Sequence, residues 1–436
     1  MNATQPPMNS GSDLMALIRR LYPICRSITG DGNRQTLSIL REYLDLTIHE
    51  VPTGAAVYDW TVPPEWNIRE AWIKGPDGRK MVDFRDSNLH VVGYSQPVQT
   101  TLTRDELLPR LHSLPEHPDW IPYRTSYYQP TWGFCLADRV KQQLPEGPFE
   151  VNIDADLKPG SLTYGDWVKP GRSSDEVLIT THLCHPSMAN DNLSGIAVAV
   201  HLAQRLVSMS TRFTYRFLFI PGTIGSITWL ARNEEVHARI RHGLALSCLG
   251  DAGPIHYKKT RDGKAGIDRA VALALRDGAP GHVIQEFSPY GYDERQFNSP
   301  GIRLPVGLFT RSPHGTYPEY HTSADNLDFI RPDSLIDSLE KLIAVMTILE
   351  GDGTYLNTQP RCEPQLGRRG LYDQLGGAND RHQQQMAMLW VLNLSDGEHS
   401  LVDVAERSGL PFGLIRDNAD RLVSAGLLIE NNGPRS

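Results

Sequence analysis

Thr181-His182-Leu183-Cys184-His185-Pro186-Ser187-Met188-Ala189-Asn190-Asp191-Asn192-Leu193-Ser194-Gly195 sets two imidazoles and a carboxylate in one short stretch. Zinc favours imidazole nitrogen and carboxylate oxygen, and a catalytic site keeps one position open for water. The same letters also suit a polar loop in which Asp191 merely caps the helix beginning near Ser194. Two later pieces add to the pattern. LALSCLGD (244–251) reads as a strand ending on Asp251, and Tyr320-His321-Thr322-Ser323-Ala324-Asp325-Asn326 brings a further histidine. Alone, each is an ordinary turn or a structural histidine; the ordered set His, Asp, Asp, His at strand ends is a metal-site pattern.

The elements that must position these residues are legible around them. VLITTHLCH (177–185) and TYRFLFIPG (214–222) read as strands; GIAVAVHLAQRLV (195–207) and SITWLARNEEVHARI (226–240) read as helices. Strands alternating with crossover helices predict an α/β fold with a mainly parallel sheet covered on both faces. Such sheets bind ligands outside the carboxyl ends of their strands, where the polar clusters fall. Residues 13–46 read as helical, with apolar faces Leu14, Leu17, Ile18, Leu21 and then Leu37, Ile39, Leu40, Tyr43, Leu44, separated by a turn at Gly30–Asn33. HEVP, AWIKG and LHVVGYS between turns predict a mostly β unit over 48–110, with Tyr58, Trp60, Trp66 and Trp72 as its core. That unit interrupts an α/β core of 13–47 and 111–355. After a polar break at 351–383, LVDVAERSGLPFGLIRDNADRLVSAGLLIE (401–430) reads as helix, turn, helix, strand, which predicts a winged helix over 384–436.

Composition narrows the function classes. Lys and Arg number 43 against 51 Asp and Glu, a formal charge of -8, which argues against broad phosphate-backbone binding. The five cysteines are odd in number, far apart and without a CxxC pair, so a disulfide framework is not expected. No run approaches the length of a membrane span, and the polar amino terminus lacks the pattern of a signal peptide. The expectation is a cytoplasmic protein with no membrane partner.

The order and wording of the motifs resemble the co-catalytic zinc aminopeptidases of the bacterial leucine aminopeptidase type. More closely, the chain resembles bacterial aminopeptidase-like proteins associated with surface-polysaccharide biosynthesis, through R-S-I-T-G-D-G-N-R (26–34), C-H-P-S-x-A-N-D-N-L-S-G (184–195), Y-D-E-R-Q-F (292–297) and Y-P-E-Y-H-T-S (317–323). The resemblance covers nearly the whole chain. It implies a zinc aminopeptidase-like core, an inserted β domain and a C-terminal winged helix. It also implies one or two Zn2+ ions: His182 and Asp251 on one metal, Asp191 bridging, and His321 on the second. The implied function is hydrolysis of an amide or peptide bond in a small-molecule or peptide-like substrate, in polysaccharide biosynthesis; the alternative is a catalytically degenerate scaffold that keeps a metal and recognises a ligand or partner.

Two departures from the family pattern stand out. Where the aminopeptidases have a His-x-Asp whose Asp orients the ligand imidazole, this chain has Cys184 followed by His185, so His185 is either the ligand in place of His182 or a substrate-facing donor. After the strand FLFIP the aminopeptidases carry paired Glu residues and the closer relatives keep one, in P-E-T-I-G-S; this chain reads Pro221-Gly222-Thr223-Ile224-Gly225-Ser226. Glu294 and Glu319, both in loops beside the resembling motifs, are the candidate substitutes for the missing base; Glu294 is the one expected, and Glu319 is either a second base or the partner that orients His321. Arg295 is a candidate clamp for a substrate carboxylate, with an internal ion pair to Asp293 or Glu294 as the alternative, and Tyr320 either lines the pocket or packs. In the winged helix, Arg407, Arg416 and Arg421 are interleaved with Asp403, Glu406, Asp417 and Asp420, which predicts protein docking or self-association rather than nucleic-acid binding.

Overall fold

Runs of β-branched and aromatic residues build one large sheet in the computed structural model, which describes residues 10–371 and 378–431. The leader-free reading of the first nine residues, and residues 372–377 of the polar break, lie outside the described residues. The sheet has eight strands: β1 (Thr47–Pro52), β2 (Ser161–Lys169), β3 (Glu176–His182), β4 (Thr214–Ile220), β5 (Ile240–Leu246), β6 (His256–Lys258), β7 (Val283–Gln285) and β8 (Val306–Thr310). Their order is β1-β2-β4-β3-β5-β8-β6-β7. The central strands β4, β3, β5 and β8 run parallel, while β2 and β6 join them antiparallel. Every residue of β3 is buried, as its unalternating apolar sequence requires of a strand covered on both faces.

Chain order fixes where a site can form. From β3 the chain passes through α3 (Gly195–Val207) to β4 on one side, and then to β5 on the other side of β3. The direction of winding reverses at β3, so the loop following His182 opens into a crevice at the carboxyl edge. Helix α3 packs between the sheet and α1 (Gly11–Leu21), which explains an almost uniformly apolar sequence. Helix α2 (Asp31–Leu40) starts at Asp31, so the expected turn at Gly30–Asn33 is mostly the first turn of the helix. Only Gly30 stands outside it, at φ 106, where a Cβ would come within 2.1 Å of the Trp66 carbonyl.

Three sequence expectations are corrected here. The strand expected at 244–251 lies at 240–246: the chain leaves the sheet after Leu246 and turns at Cys248, whose φ is 50. Asp251 therefore sits beyond the strand in a turn. The bounds 48–110 for the β insertion also differ. The four-stranded antiparallel sheet runs Lys80–Asp83, Glu65–Lys74, Phe149–Lys158, Val98–Leu102, whereas Thr47–Pro52 belongs to the large sheet. LHVVGYS forms a helical turn at Asn88–His90 followed by isolated bridges at Val91 and Gly93. Finally, Trp66 is core, donating its indole N–H to the Ser95 carbonyl at 2.8 Å. Trp72 is half-buried, but Tyr58 and Trp60 are exposed (50% and 47%) and do not belong to the core.

The chain divides into two compact units, Met1–Gly263 with Val283–Leu339, and Lys264–His282 with Glu340–Ser436. In the second, Thr354–Asn357 is the middle strand between Asp396–Ser400 and Leu428–Glu430. Helices Leu401–Ser408 and Phe412–Ser424 flank a left-handed Gly409, as the helix-turn-helix reading expects. The winged-helix sheet thus begins well before residue 384, because its central strand comes from a segment too short and polar to read as one. Helix Gly266–Gly278 joins this unit: Arg269 pairs with Asp403 (2.6 Å) and Glu406 (2.5 Å), and Asp277 accepts from the Phe412 amide at 3.1 Å. Among the described residues, no helix is long and apolar enough to cross a membrane.

Candidate metal centre

The loop between β3 and α3 is held by the two asparagines that flank Asp191 and by Asp325. Asn190 donates to the Asp251 carboxylate (2.9 Å) and accepts from the Gly250 amide (2.8 Å). Asn192 donates to Thr181 Oγ1 (2.8 Å) and the His182 carbonyl (3.0 Å), and accepts from the Cys248 amide (3.3 Å). Asp325 receives the amides of Asn190 and Asp191 at 2.6 and 2.9 Å. Burial, the largest influence on Asp325, pushes its acid up to about 8 against those two hydrogen bonds. The flanking asparagines and Asp325 spend their polar groups on scaffold, and the Asp191 side chain is left facing imidazoles.

Asp191 Oδ1 lies 2.9 Å from His182 Nε2, and Oδ2 lies 3.1 Å from His321 Nε2 and 3.9 Å from His185 Nε2. Burial opposes its charge, but His185, His182 and His321 outweigh that and hold the carboxyl well below its usual range. Burial lowers the basicity of His185 and of His314, which favours the neutral imidazole a metal needs. The ligand atoms of His182, His185 and Asp191 all lie within 4.8 Å of one another. That set, a carboxylate and two imidazoles in a buried pocket, fits Zn2+.

Surrounding groups fix the imidazoles. The Tyr123 ring packs edge-on against His185 and His321, and its amide donates to the His321 carbonyl at 2.7 Å. Tyr320 stacks on His321 with centroids 3.9 Å apart. Arg26, in the R-S-I-T phrase, is buried and donates from Nε to the His185 carbonyl at 2.9 Å and from Nη1 to the Leu21 carbonyl at 2.7 Å. Burial brings its guanidinium down to about 10.

Of the residues singled out from sequence, His182, His185, Asp191, His321 and Tyr320 come together, and Asp251, Glu294 and Arg295 do not join them. Asp251 accepts from Asn190, from Ser312 Oγ (2.7 Å) and from the Gly253 amide (2.7 Å). Its oxygens are occupied in holding loops, a consequence of the earlier strand end. Glu294 is fully buried in an ion pair with Lys258 Nζ at 2.5 Å, and accepts from the Tyr292 amide at 3.0 Å. Arg295 is exposed.

Sequence reasoning missed Cys248 and His314, whose ligand atoms lie within 4.8 Å of one another and of the Asp191 carboxylate, and it missed Tyr292 and Asp293. A Cβ on Gly222 would lie 2.2 Å from Tyr292 Cε1 and 2.6 Å from its hydroxyl oxygen. The Tyr292 phenol thus fills the space that a side chain at 222 would enter, with its oxygen 3.4 Å from Cys184 Sγ. Burial raises the phenol well above its ordinary range, so it is a proton donor here. Asp293 is buried, accepts from Ser226 Oγ at 2.8 Å, and is pushed up to about 6, chiefly by burial. The signal for it lay in the quoted Y-D-E-R-Q-F phrase, one residue before the carboxylate chosen.

Comparison with known proteins gives a consistent picture. A family model described as domain of unknown function DUF4910 matches residues 15–352, and a winged helix-turn-helix model matches 353–430. A Clostridium acetobutylicum protein, named for polysaccharide biosynthesis and an aminopeptidase-like domain, is 49% identical over 424 residues, 97% of this chain and 98% of its own. A crystal structure from the same organism, named as a peptidase, superposes with a TM-score of 0.92 at 48% identity, covering 97% of this chain and 96% of that one. BSAP, a zinc aminopeptidase from Bacillus subtilis, shares the fold with a TM-score of 0.58 at 13% identity, over 79% of this chain and 96% of that one.

Proposed function

The chain belongs to the DUF4910 family, aminopeptidase-like in fold with a winged helix-turn-helix at its carboxyl end, and from that premise we propose that it is a zinc-dependent hydrolase of an amide or peptide bond. The observation that carries the reading is Asp191, a buried carboxylate with His182 on one oxygen and His321 and His185 on the other. His182, His185, Asp191 and His321 would hold the metal; Asp251 is assigned to the loops around it. A bound zinc ion supplies Lewis acidity toward a carbonyl and toward water.

The chain's own groups do the rest. Asp293, held by Ser226, is the proton acceptor; Glu294 is already committed to Lys258. Tyr292 keeps its proton and donates from the position a residue-222 side chain would take. The relative named for polysaccharide biosynthesis directs the search to amides of amino sugars and small peptide conjugates.

Metal analysis of the purified protein, coupled to a panel of aminoacyl and N-acyl amides, tests this reading. The wild type is expected to hold zinc and turn over at least one amide, and Asp191→Ala to lose both metal and activity. Full metal occupancy in Asp191→Ala would refute the site. Gly222 and the ring covering it favour a second reading, a metal-holding scaffold without turnover. Bound zinc with no hydrolysis across the panel would select it.

A further inference from the structure

Among the described residues four aromatic side chains are exposed, and three of them gather at one place: Tyr58 (50%), Trp60 (47%) and Tyr128 (47%). Tyr58 and Asp59 form the two-residue turn of a hairpin that pairs Val57 with Trp60 and Ala56 with Thr61. Val57 and Val62 are buried and root the hairpin in the core, while Tyr58, Asp59 and Trp60 stay exposed. Asn or Gly would fit the tip with less strain, because Tyr58 sits at φ 55 in a turn that favours them. Tyr128 also sits in the left-handed region, at φ 62. Neither ring is buried in return, so packing does not explain them. The Trp60 and Tyr128 rings lie 5.4 Å apart, and the Tyr58 hydroxyl donates to Glu234 Oε1 at 3.1 Å. Tyr58 and Trp60 border a pocket of about 530 Å³, within the roughly 300–1,000 Å³ usual for small-molecule sites. Asp59, Glu234, Gln296 and Ser299 also line it, and among the described residues no Lys or Arg does.

We propose that this pocket, with the exposed rings beside it, binds a neutral pyranose of a sugar-bearing ligand. A pyranose has an apolar C–H face and a rim of hydroxyls. The C–H face matches an exposed indole or phenol ring, whose own face carries partial negative charge. The hydroxyls match the carboxylates of Asp59 and Glu234, the Gln296 amide and the Ser299 hydroxyl. A phosphate or carboxylate ligand would call for Arg or Lys, which the lining lacks. The pocket is built on elements that also serve the candidate metal centre. Tyr128 follows Tyr127, whose hydroxyl lies 3.1 Å from that of Tyr123, the ring packed on His185 and His321. Helix Ile224–Arg232, which brings Ile227 and Leu230 to the pocket, starts two residues after Gly222. The sugar subsite stands apart from the hydrolase reading; where both hold, the substrate is a sugar-bearing amide.

Saturation-transfer NMR on the full-length protein tests the subsite with three neutral sugars: N,N′-diacetylchitobiose, cellobiose and maltose. At least one is expected to receive saturation at its ring C–H protons, with and without added Zn2+. Trp60→Ala is expected to weaken binding of that sugar roughly tenfold, as loss of one ring contact implies. Tyr128→Ala is expected to weaken it as well, and keeps the test decisive if Trp60→Ala does not fold, with thermal unfolding as the check on both. No transfer to any of the three at millimolar sugar, or transfer that both variants leave unchanged, would overturn the proposal. So would binding of trialanine but of no sugar, lost in Trp60→Ala. A dimer in sedimentation that Trp60→Ala dissociates would put a second copy of the chain on the rings and overturn it too. Sugar binding by a protein that hydrolyses no amide would sink the hydrolase reading and leave this one; amide hydrolysis without sugar binding would do the reverse.

Discussion

At residue 222 the absence of a side chain and the presence of the Tyr292 ring are coupled. With a Cβ only 2.2 Å from Cε1, Gly222→Glu cannot be accommodated until the ring moves, so restoring a family-like glutamate is not a neutral change in this chain. Overpacking of this kind typically costs about 1–3 kcal/mol. Gly222→Glu is expected to lower the unfolding free energy by that order, and the same substitution in a Tyr292→Ala background to cost clearly less than in the wild type. Equal losses in both backgrounds, measured by chemical denaturation, would show that Tyr292 is not the obstacle. Asp293 gives a second test at this scale. Asp293→Asn is expected to reduce amide hydrolysis roughly 100- to 10,000-fold with zinc content unchanged, the usual worth of a positioned acid or base; loss of zinc instead would reassign it to the metal. The motif residues His182, Asp191 and His321 were legible because the letters around them are distinctive. Cys248 and His314 were not: one cysteine or histidine past a strand is ordinary until the fold brings strand ends together.

Elements hold the site through contacts between segments far apart in sequence, and the R-S-I-T-G-D-G-N-R phrase shows how. Its first residue, Arg26, holds His185 from behind, and its last, Arg34, ties α2 to the four-stranded sheet through Glu65 at 2.6 Å and to β1 of the large sheet through Glu50 at 3.0 Å. The Arg34 guanidinium, chiefly, brings the Glu65 carboxyl down to about 2. A depressed carboxyl contributes stability that is fully present above its unfolded value, about 4.3, and is lost as pH falls through the folded one. The loss for Glu65 should be on the order of 2 kcal/mol between pH 5 and pH 2. Denaturant unfolding of metal-free protein across that window is expected to show a shallower pH dependence in Glu65→Gln than in the wild type. Parallel curves would mean that Arg34 does not favour the ionised form. Local pattern revealed β3, α3 and β4, since each carries its own periodicity. It could not reveal that Phe149–Lys158 pairs with Glu65–Lys74, because antiparallel pairing across such a separation leaves no local trace.

For the whole molecule, charge and its placement argue about partners. The formal charge is -8, and Arg407, Arg416 and Arg421 of the winged-helix unit are engaged within it. Arg416 pairs with Asp420 at 2.7 Å and donates to the Gly351 carbonyl at 2.8 Å; Arg421 reaches Gln384 at 3.4 Å, and Arg407 meets His399 at 3.2 Å. Binding phosphate through Arg416 would require giving up a carbonyl and a carboxylate, with Asp417 and Asp420 on the same helix facing the incoming anion. The full chain is therefore expected to bind duplex DNA no more tightly than non-specific contact allows, about micromolar or weaker at physiological salt. Arg416→Ala should leave that signal unchanged while loosening the module, because Arg416 also bonds the Tyr355 hydroxyl at 3.1 Å, from the central strand of the three-stranded sheet. Fluorescence anisotropy against a random-sequence duplex pool, repeated with the variant, decides the matter. Sub-micromolar, sequence-dependent binding that Arg416→Ala weakens would make the winged helix a DNA reader, and the acidic side chains around it would then have to be explained as specificity rather than exclusion.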